Sequence, residues 1–293
     1  MRIARQLDEI GRLSSPSLLT IGNFDGVHCA HRSLLERLVR RAEAQKALAT
    51  VLTFDPHPLK IVAPDKAPLL ILPLEEKIRL MDQIGIGMMV ILPFTAELAR
   101  LSPEAFVEQI VVEKLQAQQV HLGPNFRFGH RQQGDTKLLA QLAERFGFRV
   151  EILPMMEIRG RRVSSTCIRG LVSSGQVAPA GRLLGRPFAL HGKVIGGEGV
   201  GRKQTVPTLN LQPRQELLPQ AGVYITRTRP ASGSDRYASV TNVGHRPTFG
   251  DHPLSIETFL LDPPEALDFT QIEVEFLYRL RDEKKFPDSA ELK

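Results

Sequence analysis

The 293-residue chain has no tryptophan, three tyrosines and two cysteines. With so few large aromatic residues, it lacks the platforms on which proteins stack single-stranded bases. Cys29 and Cys167 are too few for a disulfide framework and lack metal-ligand spacing, which favours a reduced, cytoplasmic protein. No apolar run approaches the roughly 20 residues that cross a bilayer. The first residues also lack an apolar segment of the signal-peptide type. We therefore expect neither a secreted nor a membrane protein.

Positive charge is in moderate excess, with 38 Lys and Arg against 32 Asp and Glu, a net charge of +6. Such a balance suits anionic partners, either nucleic acid or phosphorylated small molecules. The basic residues are scattered, without a lysine tract or the basic–aromatic interleaving typical of RNA-binding proteins. We expect small-molecule substrates and no nucleic acid; a basic nucleic-acid-binding protein is the alternative. The sequence does not determine the oligomeric state, and a homo-oligomer is one of the possibilities.

The first half of the chain alternates short apolar runs with helical patterns. The apolar runs predict strands at 18–21, 47–54, 88–92, 120–122 and 149–153. The helical patterns predict helices at 32–45, 74–84, 103–115, 136–146 and 165–174. This alternation predicts a parallel sheet with helices on both faces, whose ligands bind beyond the carboxyl ends of the strands.

After about residue 184 the helical periodicity fades and short strand-like runs recur between turns. They lie at 188–195, 222–228, 237–243, 254–261 and 272–280. Regular short strands of this kind predict a small antiparallel barrel. We place the boundary near 178–186, giving predicted domains 1–180 and 181–293.

The most informative segment runs from Gly22 through Asn23, Phe24 and Asp25 to His28 and His31. An apolar strand ends at its glycine- and Asn/Asp-rich turn, and a helix follows. The two histidines are three residues apart in the first helical turn, so they share one face. Free amides at a helix start and two imidazoles suit a phosphate group, with the imidazoles donating to charge that develops on a transferred phosphoryl group. The alternative is a pair of histidines without a role.

Three further segments accompany this turn. Ser164, Ser165 and Thr166 followed by Arg169 predict a second anion-binding turn, the other side of a triphosphate clamp; an ordinary helix N-cap is the alternative. Asn125 and Arg127 lie beside Phe126 and Phe128, which suits a planar anionic ligand or else a tight turn with core phenylalanines. His57, in Asp55-Pro56-His57-Pro58, is as readily structural as functional. Segments 23–25, 55–58 and 123–125 each follow a strand, so we expect them to converge on one cleft.

In the second half, a glycine-rich segment from Gly192 to Arg202 follows a strand and lacks the P-loop pattern. Thr208 and Asn210, two apart in an extended segment, point the same way and offer oxygen atoms to Mg²⁺. For the glycine-rich segment the alternative is an ordinary hairpin turn. For Thr208 and Asn210 the alternative is a polar strand face without a ligand.

Together these motifs resemble the HxGH nucleotidyltransferases, specifically the bacterial bifunctional riboflavin kinase/FMN adenylyltransferase (FAD synthetase) family. The first half resembles that family in its Gly-Asn-Phe-Asp-Gly-Val-His, Asp-Pro-His-Pro, Asn125-Phe-Arg-Phe-Gly and Ser-Ser-Thr-Cys-Ile-Arg segments. The resemblance implies that ATP binds, with Mg²⁺, at Gly22–Asp25, His28, His31 and Ser164–Arg169. It implies FMN near Asn125 and Arg127. The FMN phosphate would attack the α-phosphorus of ATP and release pyrophosphate.

The second half resembles the riboflavin kinase module in segments 192–210, 241–249 and 256–258. The resemblance implies substrate binding by Gly192, Gly201 and Arg202, Mg²⁺ ligation by Thr208 and Asn210, and Glu257 as general base for the ribityl 5'-hydroxyl. The expected fold is therefore an α/β parallel-sheet, Rossmann-like nucleotidyltransferase domain followed by a small antiparallel β-barrel riboflavin kinase domain.

The chain departs from the family pattern in several places. Ala30 replaces the glycine between the histidines, and its extra methyl group is expected to weaken the nucleotide site. In the second half, 204–206 and 263–268 differ from the pattern, and the sequence stops at Lys293, where the family's last helix begins. The alternatives are therefore an enzyme that retains only one of the two activities, or a non-catalytic flavin- or nucleotide-binding protein.

Overall fold

The computed structural model describes the whole chain except residues 12, 14, 196–207, 232, 245–254, 263–268 and 284–293. The chain forms two compact units. The first comprises Met1–Pro68 and Leu74–Val163, and the second comprises Leu69–Pro73 and Ser164–Lys293. None of the helices in the described ranges has the length and apolar character that a membrane span requires.

A six-stranded sheet forms the centre of the first unit. Its strands are β1 Arg2–Ala4, β2 Ser17–Ile21, β3 Leu48–Asp55, β4 Met88–Pro93, β5 Ala117–Leu122 and β6 Arg149–Ile152. They lie in the order β1-β4-β3-β2-β5-β6, and every neighbouring pair is parallel. The predicted parallel sheet is confirmed. The five residues of β2 are all buried, as expected for a strand covered on both faces.

Helices connect these strands. They are α1 Cys29–Ala44, α2 Pro58–Val62, α3 Leu74–Ile84, α4 Pro103–Phe106 and α5 Thr136–Phe146. Short 3-10 helices lie at Leu7–Ile10, Pro64–Lys66, Leu98–Arg100 and His130–Gln132, and a two-stranded hairpin pairs β7 Glu157–Ile158 with β8 Arg161–Arg162. Asp135 caps α5 by accepting from the N–H groups of Lys137 and Leu138. Aspartate is one of the preferred N-cap residues, so this cap explains why the helix starts at Thr136.

The predicted helix at 103–115 differs in form. After α4 the chain continues as a wider π-helix at Val107–Lys114. Val107, Ile110 and Val111 remain buried and join the core beneath the sheet. The apolar spacing therefore located the buried face but not the width of the turn.

The described residues of the second unit form the helices α6 Ser165–Ser173 and α7 Val177–Leu184 and a closed barrel. The barrel strands are β9 Phe188–Ile195, β10 Thr208–Pro213, β11 Gly222–Pro230, β12 Tyr237–Gly244, β13 Ser255–Leu260 and β14 Gln271–Arg281. They close in the order β10-β13-β12-β11-β14-β9, and all pairs are antiparallel. The predicted barrel is confirmed. Because α7 occupies most of 178–186, a helix runs through the expected boundary; the limits 1–180 and 181–293 stay a prediction.

The barrel core contains a ladder of five buried hydroxyl groups. Its consecutive oxygen atoms lie 2.8 to 2.9 Å apart, in the order Thr228, Ser239, Thr226, Thr241 and Thr258. Each of these residues is at most 2% exposed. Every hydroxyl can both donate and accept, so neighbours on three strands satisfy one another without water.

Gly192 lies where β9 pairs with both β10 and β14. A Cβ atom at this position would lie 1.9 Å from the carbonyl oxygen of Gln212, which no side chain can tolerate. The structure therefore gives Gly192 a packing role in closing the barrel, and the predicted substrate contact stays a prediction.

Candidate functional site

The loop between β2 and α1 carries the histidine motif. The helix starts at Cys29, three residues earlier than predicted, because His28 caps it. Nδ1 of His28 accepts from the backbone N–H of His31 at 3.3 Å. In its neutral form the His28 ring therefore carries its proton on Nε2, which can donate a hydrogen bond.

The rings of His28 and His31 are stacked, with centroids 3.5 Å apart and planes 12° from parallel. The predicted shared face is thus confirmed. The buried ring of Phe24 meets His31 edge-on, with centroids 5.1 Å apart. Both imidazoles are held by packing before any ligand arrives.

His31 is only half-buried, yet its Nδ1 atom is inaccessible to solvent and lacks a hydrogen-bond partner among the described residues. Burial lowers the pKa of His31 well below its usual value, and the nearby charges of His28 and Lys77 lower it further. His31 is therefore neutral at neutral pH. A polyphosphate placed against it would supply the opposite charge that favours the protonated ring.

The loop after β3 meets the histidine loop. Nε2 of His57 lies 3.0 Å from the side-chain amide of Asn23, and Nδ1 of His57 accepts from the N–H of Leu59 at 3.2 Å. His57 therefore caps α2 and lies against the side chain of Asn23. The expected convergence of 23–25 with 55–58 is confirmed. His57 has a structural role as a cap, and a functional role for it stays a prediction.

The loop after β5 starts at the same edge, because β5 pairs in parallel with β2. Asn125 and Arg127 are exposed there, and Arg127 forms an ion pair with Asp135 at 3.2 Å. The N–H of Leu138, with further help from Lys137 and Arg127, lowers the pKa of Asp135 against the opposing effect of desolvation. Phe126 and Phe128 stack at 5.4 Å, and Phe128 belongs to the core. The core-phenylalanine alternative is therefore correct for Phe128, while ligand binding by Asn125 and Arg127 stays a prediction.

The Ser-Ser-Thr-Cys-Ile-Arg segment starts α6 and belongs to the second unit. The hydroxyl of Ser164 accepts from the N–H of Cys167 at 3.2 Å, so this serine is an N-cap. Arg169 donates through Nε to the carbonyl oxygen of Leu69 at 2.9 Å. Ser165 is half-buried and Thr166 exposed. A clamp formed by this turn and the histidine helix stays a prediction.

Sequence reasoning missed Lys77 on α3. This lysine is 9% exposed, and its ammonium donates to the carbonyl oxygen of Asn23 at 2.9 Å. A signal was present: Lys77 stands three and four residues before Leu80 and Met81, which share the buried face of the helix. A charge at a core position of an amphipathic pattern points to a buried partner.

A second constellation lies on the barrel. In the register of β10 and β13, Asn210 is directly opposite Glu257, and Thr208 is opposite Phe259. Directly opposed residues have Cβ atoms about 5 Å apart. On its other side Glu257 is opposite Asn242 of β12. The alternation buries Ile256 and Thr258 and leaves Glu257 half-exposed, so the structure brings Thr208, Asn210 and Glu257 to one face.

Asn242 is the second residue that the site prediction missed. The sequence contained it in Thr241-Asn242-Val243-Gly244, but only the pairing of β12 with β13 shows that its position adjoins Glu257. A candidate strand gives the alternation of side chains, whereas the partner residue depends on register.

The barrel constellation suits Mg²⁺ chemically. Hydroxyl, amide and carboxylate oxygens are the ligands that Mg²⁺ takes, usually together with water and substrate phosphates. Within the part of the chain that the structure describes, no group of three or more His, Cys, Asp and Glu residues is arranged to hold a metal. A cation at Thr208 and Asn210 would therefore depend on neutral oxygens and on its phosphate substrate.

Some predicted positions lie outside the described residues. These are Gly201, Arg202, 204–206 and 263–268. Gly22 is described: a Cβ atom on it would lie 3.2 Å from the ring of Phe24. This close approach favours glycine directly after β2. Ligand binding by Gly22 stays a prediction.

Comparison with known proteins identifies the family of both units. The FAD synthetase family model matches residues 12–167, and the riboflavin kinase model matches residues 184–293. A bifunctional riboflavin kinase/FMN adenylyltransferase from Haemophilus influenzae is 32% identical over 100% of this chain and 95% of that relative. The protein of the same name from Escherichia coli K12 is 34% identical over 94% of this chain and 88% of that relative.

A solved structure gives the same picture of the fold. A protein from Streptococcus pneumoniae, described as a macrolide-efflux protein, matches with a TM-score of 0.87 at 26% identity. The match covers 99% of this chain and 94% of that chain. With two matching family models in the same order and curated relatives matched along nearly their whole length, the chain belongs to the bifunctional riboflavin kinase/FMN adenylyltransferase family.

Proposed function

We propose that this protein phosphorylates riboflavin to FMN with ATP and then transfers an adenylyl group from ATP to FMN, forming FAD. The observation that carries the proposal is the pair of stacked histidines that starts α1 at the carboxyl edge of a parallel sheet. We assign adenylyl transfer to residues 1–180 and riboflavin phosphorylation to residues 181–293.

In adenylyl transfer, an oxygen of the FMN phosphate attacks the α-phosphorus of ATP. A new P–O bond forms, the bond between the α-phosphorus and its bridging oxygen to the β-phosphate breaks, and pyrophosphate leaves. His28 presents Nε2–H to the phosphates because its Nδ1 is occupied by the N–H of His31. The helix start adds the positive end of its dipole. Gly22, Asn23, Phe24 and Asp25 shape this side, and Ser164, Ser165, Thr166 and Arg169 are the proposed second side.

FMN is proposed to lie near Asn125 and Arg127. Both side chains are exposed at the loop that follows β5, and β5 is the neighbour of β2 in the sheet. A guanidinium group there can pair with the phosphate or stack on a planar ring.

In riboflavin phosphorylation, the 5'-hydroxyl oxygen of the ribityl chain attacks the γ-phosphorus of ATP and ADP leaves. Glu257 accepts the hydroxyl proton as general base. Its half-exposed position opposite Asn210 makes it accessible to a substrate hydroxyl. Gly201 and Arg202 are proposed to contact the substrates of this half.

Mg²⁺ is the proposed metal, held at Thr208 and Asn210 together with substrate phosphates. When bound, it neutralises charge on the phosphate oxygens during transfer. Small molecules are the proposed partners, with neither nucleic acid nor membrane among them, and the cysteine-poor sequence favours the cytoplasm. Positioning and charge stabilisation suffice for both steps, without a covalent enzyme intermediate.

A product assay tests the proposal. The purified chain is incubated with Mg-ATP and either riboflavin or FMN, and the flavins are separated by chromatography. We expect FMN and FAD from riboflavin, and FAD from supplied FMN. FMN without FAD, or FAD only from supplied FMN, would reduce the function to one activity. Flavin binding without any product would identify a non-catalytic binder and reject the proposal.

A further inference from the structure

An ammonium group is buried beneath the histidine loop. Lys77 is 9% exposed, and the residues that share its face of α3, Leu80 and Met81, are buried too. Removing a charged group from water is costly unless other groups compensate it. The first group that compensates the burial of the Lys77 ammonium is its hydrogen-bond acceptor.

The carbonyl oxygen of Asn23 is held from two other elements. The ammonium of Lys77 on α3 donates to it at 2.9 Å, and the hydroxyl of Thr53 on β3 lies 3.4 Å away. The side-chain amide of the same residue meets His57, which follows β3, at 3.0 Å. Asn23 is therefore the residue through which α3 and β3 form hydrogen bonds to the histidine loop.

The loop beyond this point has an uncommon backbone. Phe24 has φ +49° and Val27 has φ +39°, in the left-handed region that bulky and β-branched residues rarely adopt. A turn between them is closed by the N–H of Val27 and the carbonyl oxygen of Phe24 at 3.1 Å. A strained conformation persists only where surrounding contacts determine it. The Asn23 anchor stands at the start of this strained segment.

The charges around Lys77 belong to the same loops. Burial lowers the pKa of Lys77, while Asp25 and Asp55 oppose that shift. Asp25 lies in the histidine loop itself and is 3% exposed. The positive charge of Lys77 also acts on His31, together with that of His28. Lys77 is thus linked to the histidine loop by a hydrogen bond and by charge.

We propose that Lys77 is a positioning residue for the adenylyl transfer of this enzyme: its ammonium anchors the Asn23 carbonyl and thereby fixes the turn from which His28 and His31 project. The part that concerns catalysis rests on the proposed function. Lys77 acts through the loop and through the electrostatic environment of His31, without touching the substrates.

Four full-length variants separate the two contributions. Lys77→Met keeps the chain length but removes donor and charge, Lys77→Gln keeps a donor without charge, and Lys77→Arg keeps both. Lys114→Met is the matched control, because the ammonium of Lys114 is exposed and pairs with Asp8 at 3.1 Å. Riboflavin phosphorylation, assigned to the other unit, serves as an internal check on folding.

The first measurement is an NMR titration of the His31 ring without nucleotide, assigned by the loss of its signal in His31→Asn. In Lys77→Met and Lys77→Gln we expect the pKa of His31 to rise, corresponding to a roughly threefold or larger increase in proton affinity. Lys77→Arg and Lys114→Met should titrate as the wild type does.

The second measurement is the pH dependence of kcat and KM for FAD formation from FMN. In Lys77→Met we expect kcat to fall about tenfold or more, since a misplaced site loses orientation rather than binding alone. The limb of the profile that reports the titration of His31 should move to higher pH, with Lys77→Gln intermediate in kcat and Lys77→Arg close to the wild type.

A Lys77→Met enzyme with the wild-type His31 titration and the wild-type pH profile would overturn the proposal. If Lys77→Met does not fold, Lys77→Gln decides by the same two measurements. A wild-type enzyme that forms no FAD would reject the proposed function instead. The titration would still test the anchor, because it uses no substrate.

Discussion

The stacking of His28 on His31, with ring centroids 3.5 Å apart, places two titratable groups in mutual contact at the start of α1. Two imidazolium ions at that distance would repel each other, so neutral rings are favoured in the absence of an anion. A polyphosphate would reverse this preference by adding negative charge. The pair can therefore couple nucleotide binding to proton uptake.

The histidines should be required for one activity only. In His28→Asn and His31→Asn we expect FAD formation from FMN to lose about 100-fold or more in kcat, because a preorganised donor to developing charge is removed. Riboflavin phosphorylation should stay within about twofold of the wild type, since it is assigned to Glu257 in the other unit. Steady-state kinetics on each substrate check both.

His130→Asn is the control for those variants. His130 lies in the same unit, with Nδ1 3.1 Å from the carbonyl oxygen of Ala99. Retention of FAD formation in His28→Asn and His31→Asn, at the level of this control, would remove the histidines from the mechanism.

Stability of the first unit should fall in mild acid. Burial lowers the pKa of His31 and of His121 below the value of 6.5 that an unfolded histidine has. Below about pH 6.5 the unfolded chain therefore binds more protons than the folded one, and stability rises with pH in this range. The contribution of these two histidines to the free energy of unfolding is fully present above pH 6.5. It is lost as the pH falls toward their pKa values in the folded state, by at most about 1.4 kcal/mol per pH unit for each histidine.

Denaturant unfolding at pH 5.5, 6, 7 and 8, followed by a probe in the first unit, measures this dependence. His31→Asn should flatten the curve below pH 6.5. Equal slopes for wild type and His31→Asn would show that the histidine is not neutralised by folding.

The carboxylate of Glu257 should be needed only for riboflavin phosphorylation. We expect Glu257→Gln to lower kcat for FMN formation about 100-fold or more, because the amide cannot accept the hydroxyl proton. FAD formation from supplied FMN should be unchanged. Asp262→Asn, an exposed carboxylate just after β13, is the control, and full kinase activity in Glu257→Gln would exclude the general-base role.

Ala30 offers a gain-of-function test. Ala30→Gly removes the methyl group that distinguishes this helix start from the family pattern, so we expect KM for ATP in FAD formation to fall about threefold or more. Glycine costs up to about 1 kcal/mol within a helix. Ala44→Gly, at the exposed end of the same helix, controls for that loss, and an unchanged or higher KM in Ala30→Gly would contradict the expectation.

The hydroxyl ladder of the barrel should contribute to stability through its middle members. Thr241 bonds both Thr226 and Thr258, so Thr241→Val leaves Thr258 without its partner in the ladder and Thr226 with Ser239 alone. We expect a loss of about 1 to 3 kcal/mol in the free energy of unfolding. Thr228→Val, at the end of the ladder, should cost less. Equal losses, measured by denaturant unfolding of the barrel, would show that the ladder does not act as a network.

Local sequence patterns predicted much of this fold because hydrophobic spacing determines which faces are buried. The period of α3 and the apolar runs of β2 and β4 located those elements within a residue. The strand β1 escaped prediction because three residues, Arg2–Ala4, are too few to show a period. The early start of α1 depends on His28 as a cap, a role that the preferred cap residues do not suggest.

The candidate sites were less accessible to prediction where they depend on long-range pairing. Asn23 and His57 could be brought together in advance, because both follow strands of one parallel sheet. Asn242 became a neighbour of Glu257 only through strand register, and Lys77 reached Asn23 only through the packing of a helix on a loop. Contacts between distant segments are set by tertiary structure, which no single window of sequence contains.

The barrel is closed and the parallel sheet is open, so the two units differ in how their strands can unfold locally. Each of its six strands is bonded on both sides, so separating any strand breaks two rows of hydrogen bonds at once. The outer strands of the parallel sheet, β1 and β6, have a neighbour on one side each, and they can fray while the centre stays intact. The unit that carries Glu257 therefore loosens as a block, whereas the unit that carries the histidines can loosen from its rim inward.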